Sequence, residues 1–262
     1  MVLTPISNKM YPLPPKPWII AGPCALEGLN EGLYLCRELK KLGANIFRAG
    51  VFKGQNRPII NGKPCFWGMG EIGLQYLSII GTAEEIPVVT EIQSEHQLAL
   101  ALKEDIDIIQ VGARHMQNFP LIRQLAKDAQ RPIILKRGLG NTIDEWLGIA
   151  EHLGYEGNNN IILCERGVVS FERSPEIRWR LDVLAIPQIR YTYPRYPIIA
   201  DVSHGVGRRE LVIPMARAVL AAGADGIMVE VHLNPDKSPT DARQTISIEQ
   251  FGELMKEIKI FK

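Results

Sequence analysis

Several things this sequence lacks narrow its class. It has only four cysteines, Cys24, Cys36, Cys65 and Cys164, scattered and with no C-x-x-C pair. That excludes a disulfide framework and makes reduced thiols in a cytoplasmic protein the expected state. Net charge is nearly absent, since 30 Lys and Arg stand against 29 Asp and Glu. No general basic field therefore draws nucleic acid or an anionic membrane, and positive charge matters only where it clusters. No run approaches the roughly 20 apolar residues that cross a bilayer. The prolines of MVLTPISNKMYPLPPKP stand where a signal peptide needs an apolar stretch. No composition shift, long linker, low-complexity segment or self-similar repeat marks a second domain or a solenoid.

What is present is enough apolar content, 46% of 262 residues, to bury a real core. Eight short apolar runs recur along the chain: PWIIAG, ANIFRAG, IPVVTE, IDIIQVG, RPIILKRG, NIILCERG, YPIIADVSH and DGIMVEVH. Between them lie amphipathic stretches such as GLYLCRELKKLG (32–43) and TIDEWLGIAEHLG (142–154), with IEQFGELMKEIKIF (248–261) closing the chain. The runs read as buried strands and the stretches as helices that pack one face on them. Eight such units in about 250 residues predict an α/β fold, a single (β/α)8 TIM barrel. Parallel strands need helical crossovers, and eight of them close without leaving an edge. The barrel is expected over residues 18–262, after a short N-terminal extension at 1–17; a doubly wound open sheet is the alternative. Two long connections, 51–66 and 233–247, follow strands and so open on the C-terminal face, where barrels keep their chemistry.

Side chains at the strand ends converge on that face. They are Cys24, Arg48 with Lys53 beyond it, Glu91, Arg114, Lys136 and Arg137, Glu165 and Arg166, Asp201 and His204, then Glu230 and His232. Cys24, His204, Glu230 and Asp241 offer a thiolate, an imidazole and two carboxylates, a set suited to one divalent transition ion (Zn, Mn, Fe or Co) rather than Mg or Ca. Arg48, Lys53, Arg114, Lys136 and Arg166 form a cationic ring suited to phosphate or carboxylate on a substrate. Each residue alone has an ordinary reading. A lone strand-end Cys is usually a small buried hydrophobe, a lone His or Glu finds a backbone group or an Arg, and Asp201 reads equally well as a structural acid. Convergence on one face is what favours a site. Glu91, Glu165, His115 and His232 stay open, and Cys36 and Cys65 read as incidental. Cys164 and Arg166 share a strand face that Glu165 does not, and the sequence leaves open which face is inward.

Six stretches in this order resemble one family: AGPCALEG (21–28), FRAGVFK (47–53), IQVGARHMQNFPLI (109–122), ILKRGLGNTIDEWLGIAEHL (134–153), ILCERGVVSFE (162–172) and the segment from ADVSHGVGRR to NPDKSPTDARQT (200–245). Together they resemble 3-deoxy-D-arabino-heptulosonate-7-phosphate (DAHP) synthase in its short microbial form, which shares its barrel with 3-deoxy-D-manno-octulosonate-8-phosphate (KDO8P) synthase. The resemblance implies an aldol-type condensation of phosphoenolpyruvate with erythrose 4-phosphate that releases phosphate and opens the shikimate pathway. It implies a divalent metal on Cys24, His204, Glu230 and Asp241. It also implies phosphoenolpyruvate held by Arg114 and Arg166 at its phosphate, by Arg48, Lys53 and Lys136 around its carboxylate and reacting carbons, and by Glu91 nearby. Lys136 or a metal-bound water, with Lys53 second, would move the proton, and His204 completes the catalytic set. A homodimer or homotetramer is expected.

One departure from the family matters most, a milder one being DVSHGVGRR (201–209) where short DAHP synthases usually read DPSHPGGRR. Where DAHP synthases read Lys-Pro-Arg-Thr, this chain has Lys53-Gly54-Gln55-Asn56, then Arg57. KDO8P synthases read Lys-Ala-Asn-Arg there, matched here only with one residue inserted. Gln55, Asn56 and Arg57 are thus the candidates for the aldose phosphate, and KDO8P synthase or a synthase for another phosphorylated aldose is the alternative function. Two further rivals are a class I aldolase using Lys136 as a Schiff-base nucleophile and a non-enzymatic barrel that binds a phosphorylated ligand beside a structural metal.

Overall fold

The computed structural model describes residues 13–54, 58–60, 63–128, 130–171 and 178–261. The strands are β1 (Trp18–Gly22), β2 (Ile46–Arg48), β3 (Ile59–Ile60), β4 (Lys63–Pro64), β5 (Val88–Ile92), β6 (Ile108–Val111), β7 (Ile133–Lys136), β8 (Ile161–Glu165), β9 (Ile198–Asp201) and β10 (Gly226–Glu230). Eight of them close into a parallel barrel in the order β1-β10-β9-β8-β7-β6-β5-β2, while β3 and β4 form an antiparallel hairpin in the connection after β2. All eight apolar runs are barrel strands, so the closed barrel and not the open sheet is the architecture.

The helices are α1 (Leu29–Leu42), α2 (Gly70–Glu84), α3 (Glu95–Lys103), α4 (Phe119–Asp128), α5 (Ile143–Tyr155), α6 (Ala185–Thr192), α7 (Val212–Ala221) and α8 (Ile248–Glu257). Their ends follow from local chemistry. Ser94 caps α3 by accepting from the Gln97 N–H, and reciprocal capping boxes start α5 (Thr142 with Glu145) and α8 (Ser247 with Gln250). Gly43 closes α1 in the left-handed conformation. Among the described residues no helix is long and apolar enough to cross a membrane.

Strand alternation divides the core in two. Ile19, Phe47, Ile109, Leu135, Leu163, Ala200 and Val229 face the helices, whereas Trp18, Ile20, Ile46, Val89, Ile108, Ile134, Ile162, Ile199 and Met228 fill the barrel. Each fully buried branched aliphatic contributes about 1.5–3 kcal/mol, so both layers hold the strands firmly. Leu13 packs under the inner layer, and Trp18 Nε1 donates to the Pro14 carbonyl (2.9 Å), which seals the end of the barrel away from the loops described next.

Candidate active site

Two residues beyond the inner apolar layer, six of the eight strands change character. Ile46 is followed on the same face by Arg48, Val89 by Glu91, Ile108 by Gln110, Ile134 by Lys136, Ile199 by Asp201 and Met228 by Glu230. The period of two that fills the barrel with aliphatics thus also aims a ring of polar groups into its C-terminal mouth. Cys164 lies in the inner layer, which places Arg166 inward. Glu165 points to the helix side, where it accepts from Arg137 Nη1 (3.1 Å) and the Gly167 N–H (2.7 Å).

Cys24, His204, Glu230 and Asp241 each offer one ligand atom, all within 4.8 Å of one another. Cys24 Sγ donates to Asp241 Oδ2 (3.3 Å), and His204 Nε2 lies 3.4 Å from Glu230 Oε1 and 3.7 Å from Asp241 Oδ2. Three remaining side-chain atoms are held from behind. His204 Nδ1 meets Asp201 Oδ2 (2.8 Å), Glu230 Oε2 accepts from Gln244 Nε2 (2.7 Å), and Asp241 Oδ1 accepts from Arg178 Nη1 (2.6 Å). Backing of this kind leaves one atom of each ligand aimed at a common point. The soft–hard mixture of sulfur, imidazole and carboxylate, gathered this closely, fits a borderline transition ion. Two backbone features set the geometry. Gly22 has φ 149° and a Cβ there would lie 2.1 Å from the Arg48 carbonyl oxygen, so the turn into Cys24 needs glycine. Asp241 has φ 53°, a left-handed turn closed by the Gln244 N–H (3.1 Å) and Thr245 Oγ1 (3.0 Å) on its carbonyl.

Beside the cluster opens a cavity of about 520 Å³ whose walls include Lys53, Glu91, Arg114, Lys136, Arg166, Arg178 and His204. Arg48 lies beneath, 4% exposed, and donates to Glu230 Oε1 (2.8 Å). Lys53 Nζ donates to Cys24 Sγ (3.0 Å), Lys136 Nζ to Asp201 Oδ2 (2.5 Å). Arg166 stacks 5.3 Å from the Trp179 ring centre. Glu91 accepts from Gln110 Nε2 (2.7 Å), and a Cβ at residue 112 would come within 2.3 Å of its carboxylate, so Gly112 makes room for it.

The electrostatics follow from the crowding. Burial depresses the basicity of His204, but Asp201 and Glu230 outweigh it and raise its pKa to about 10. Burial alone would raise Asp201, yet His204 and Lys136 hold it well below the usual carboxylate range. Glu91, half-buried at the cavity wall, is likewise lowered, because Lys136 and Lys53 prevail over desolvation. Burial lowers Arg166, which weakens its hold on its proton relative to a free guanidinium.

The structure thus brings together the four expected ligands and all five expected cations. Gln55, Asn56 and Arg57 lie outside the described residues. His232 stands apart, bonded to Glu27 (2.6 Å) and the Asn234 carbonyl (2.7 Å). Asp201, Gln110, Gln244 and Arg178 are site members that the sequence reading did not assign. Asp201 and Gln110 carried a signal, each standing on the inward face near a strand end; Gln244 and the loop arginine carried none.

A closed parallel barrel with its polar groups gathered at the C-terminal mouth defines the class, a (β/α)8-barrel enzyme. The chain belongs to the DAHP synthetase I family, whose family model matches residues 14–261. It is 44% identical to the phospho-2-dehydro-3-deoxyheptonate aldolase of Thermotoga maritima over 241 residues, 92% of this chain and 68% of that one. A 2-dehydro-3-deoxyphosphooctonate aldolase of Desulfosudis oleivorans is 31% identical, covering 90% of this chain and 87% of its own. The crystal structure of the Thermotoga enzyme superposes with a TM-score of 0.85 at 41% identity, over 93% of this chain and 68% of that one; a truncated form gives 0.83, over 93% and 85%. The chain is an enzyme of carbon–carbon bond formation.

Proposed function

We propose that the chain is a DAHP synthase that condenses phosphoenolpyruvate with erythrose 4-phosphate, releasing phosphate, as the first step of the shikimate pathway. The observation that carries this reading is the cavity lined by cations directly beside Cys24, His204, Glu230 and Asp241. An anionic enol donor and an aldehyde acceptor need such neighbouring sites to meet in order. The greater likeness to the Thermotoga heptonate enzyme than to the octonate enzymes supports the four-carbon sugar.

In this reading Arg114 and Arg166 bind the phosphate of phosphoenolpyruvate, with Glu91 nearby, while Arg48, Lys53 and Lys136 surround its carboxylate and reacting carbons. Cys24, His204, Glu230 and Asp241 would hold a divalent transition ion, which would supply Lewis acidity to the aldehyde. The cations orient C3 of phosphoenolpyruvate toward the aldehyde carbon, and the new C–C bond forms there. Lys136, with Lys53 second, gives the proton that the new hydroxyl requires. Water adds at C2 and phosphate leaves with C–O cleavage. Gln55, Asn56 and Arg57 are assigned to the aldose phosphate from sequence alone. The enzyme would work in the cytoplasm as a homodimer or homotetramer.

The departure at Lys53-Gly54-Gln55-Asn56 favours one alternative, a synthase for another phosphorylated aldose such as the KDO8P enzyme. An aldose panel with phosphoenolpyruvate and Mn²⁺, scored by phosphate release, decides. Turnover with erythrose 4-phosphate well above arabinose 5-phosphate is expected; the reverse order would replace this reading with the alternative.

A further inference from the structure

Asp201 is fully buried and each of its carboxylate oxygens is used twice. Oδ1 accepts from the backbone N–H of Ser203 (3.2 Å) and of His204 (2.9 Å). Those bonds shape the turn that carries His204 away from β9. Oδ2 accepts from Lys136 Nζ (2.5 Å) and faces His204 Nδ1 (2.8 Å). One oxygen therefore touches both halves of the mouth: the ligand cluster, toward which His204 turns Nε2, and the cavity, whose wall Lys136 forms.

We infer that Asp201 is a positioning residue that couples cation binding at His204 to anion binding at Lys136. A carboxylate facing Nδ1 keeps a proton on that nitrogen, so Nε2 is the nitrogen that gives up its proton to a metal. The same oxygen fixes where the Lys136 ammonium stands. Because two donors share one acceptor, each competes with the other for it. An anion that draws Lys136 into the cavity leaves the carboxylate to His204 and makes the imidazole a better ligand. A divalent ion on Nε2 polarises the Nδ1–H bond, tightens it on Asp201 and frees Lys136 for the anion. Linkage requires the two effects to be equal in free energy. The inference rests on the proposed function only for the identity of the anion, because its cation half needs no turnover.

Asp201→Asn is the discriminating change. The amide oxygen can still accept from the Ser203 and His204 N–H groups, so the turn is kept. The amide NH₂ then meets Nδ1, which puts the ring proton on Nε2 and closes that nitrogen to a metal. Mn²⁺ affinity is read on the full chain without substrates, from the paramagnetic resonance of the free ion. It is expected to fall about 10–100-fold; phosphoenolpyruvate should tighten Mn²⁺ on the unaltered chain, as the coupling requires, and have no effect on the variant. Unchanged Mn²⁺ affinity in a folded variant, as a purely structural Asp201 would give, overturns the inference. Lys136→Met provides a second arm that does not depend on that variant folding. It leaves Asp201 to His204 alone, so Mn²⁺ should bind several-fold tighter and independently of phosphoenolpyruvate; equal affinity with the anion effect intact overturns the coupling. Inorganic phosphate as a parallel probe separates the two readings. Coupling to phosphate but not to phosphoenolpyruvate supports the role of Asp201 while removing the proposed substrate.

Discussion

At the scale of single residues, the four proposed ligands carry the sharpest expectations. Cys24→Ser and His204→Ala each remove one donor from a cluster whose other atoms are already engaged. Turnover should fall by at least about 10²-fold, with little change in melting temperature, since neither side chain belongs to the inner aliphatic layer. Metal content and rate both equal to those of the unaltered chain would contradict the assignment. The raised pKa of His204 has a direct consequence. Below about pH 10 the metal-free imidazole holds a proton that a metal must displace. Divalent affinity between about pH 6 and 8 should therefore rise with pH, by about tenfold per unit for that proton alone. Calorimetric titration in buffers of different ionisation enthalpy would count the protons released, and affinity independent of pH would sink the account of His204. These residues were legible in the sequence because they are chemically distinctive and three of them stand at or just beyond strand ends, with Asp241 in the long connection after β10. Asp201 was only half legible: its position was visible, but its partner Lys136 lies 65 residues away, and no local pattern reports a contact of that span. Arg178 sits in the connection between β8 and α6, where no periodicity fixes a direction, so its bond to Asp241 emerges only from the closed barrel.

Among the elements, strand and helix share the task of placing the mouth. The barrel strands were readable from composition, because short, β-branched apolar runs bounded by glycine or charge recur eight times. Which face turns inward was not readable for β8, since ILCE is apolar on both faces until the barrel closes and Cys164 joins the inner layer. Helix starts matter to the site through the loops that they anchor. The capping box of Thr142 and Glu145 fixes the start of α5 just after the Lys136–Arg137–Gly138 turn. Thr142→Ala should cost about 0.5–2 kcal/mol of stability in chemical denaturation, while the KM for phosphoenolpyruvate stays within a few-fold, because Lys136 itself is held by Asp201. A large loss of turnover with unchanged stability would mean that the cap acts on the site directly.

For the whole molecule, stability and chemistry are largely separate. The barrel is held by two aliphatic layers, and its ligand cluster is neutralised internally by Arg48, Lys53 and Arg178. Removing metal with a chelator should therefore abolish turnover while leaving the far-ultraviolet circular dichroism intact; unfolding on chelation would favour a structural ion. Alkaline pH should act on the fold instead. Burial pushes the Cys36 and Cys164 thiols from 9.0 up to about 12. Both stay protonated in the folded chain where the unfolded chain ionises, so their contribution is complete below about pH 9 and is lost progressively as pH rises toward 12. The denaturation midpoint should fall across that window, and less so in Cys36→Ala.

The account depends on one ion meeting one anion pocket. The most direct measurement is anomalous diffraction at the manganese edge from crystals soaked with Mn²⁺ and phosphoenolpyruvate. A single strong peak is predicted within bonding distance of Cys24 Sγ, His204 Nε2, Glu230 and Asp241, with the phosphate of phosphoenolpyruvate on Arg114 and Arg166. A peak elsewhere, or a cluster without metal beside bound phosphoenolpyruvate, would contradict it.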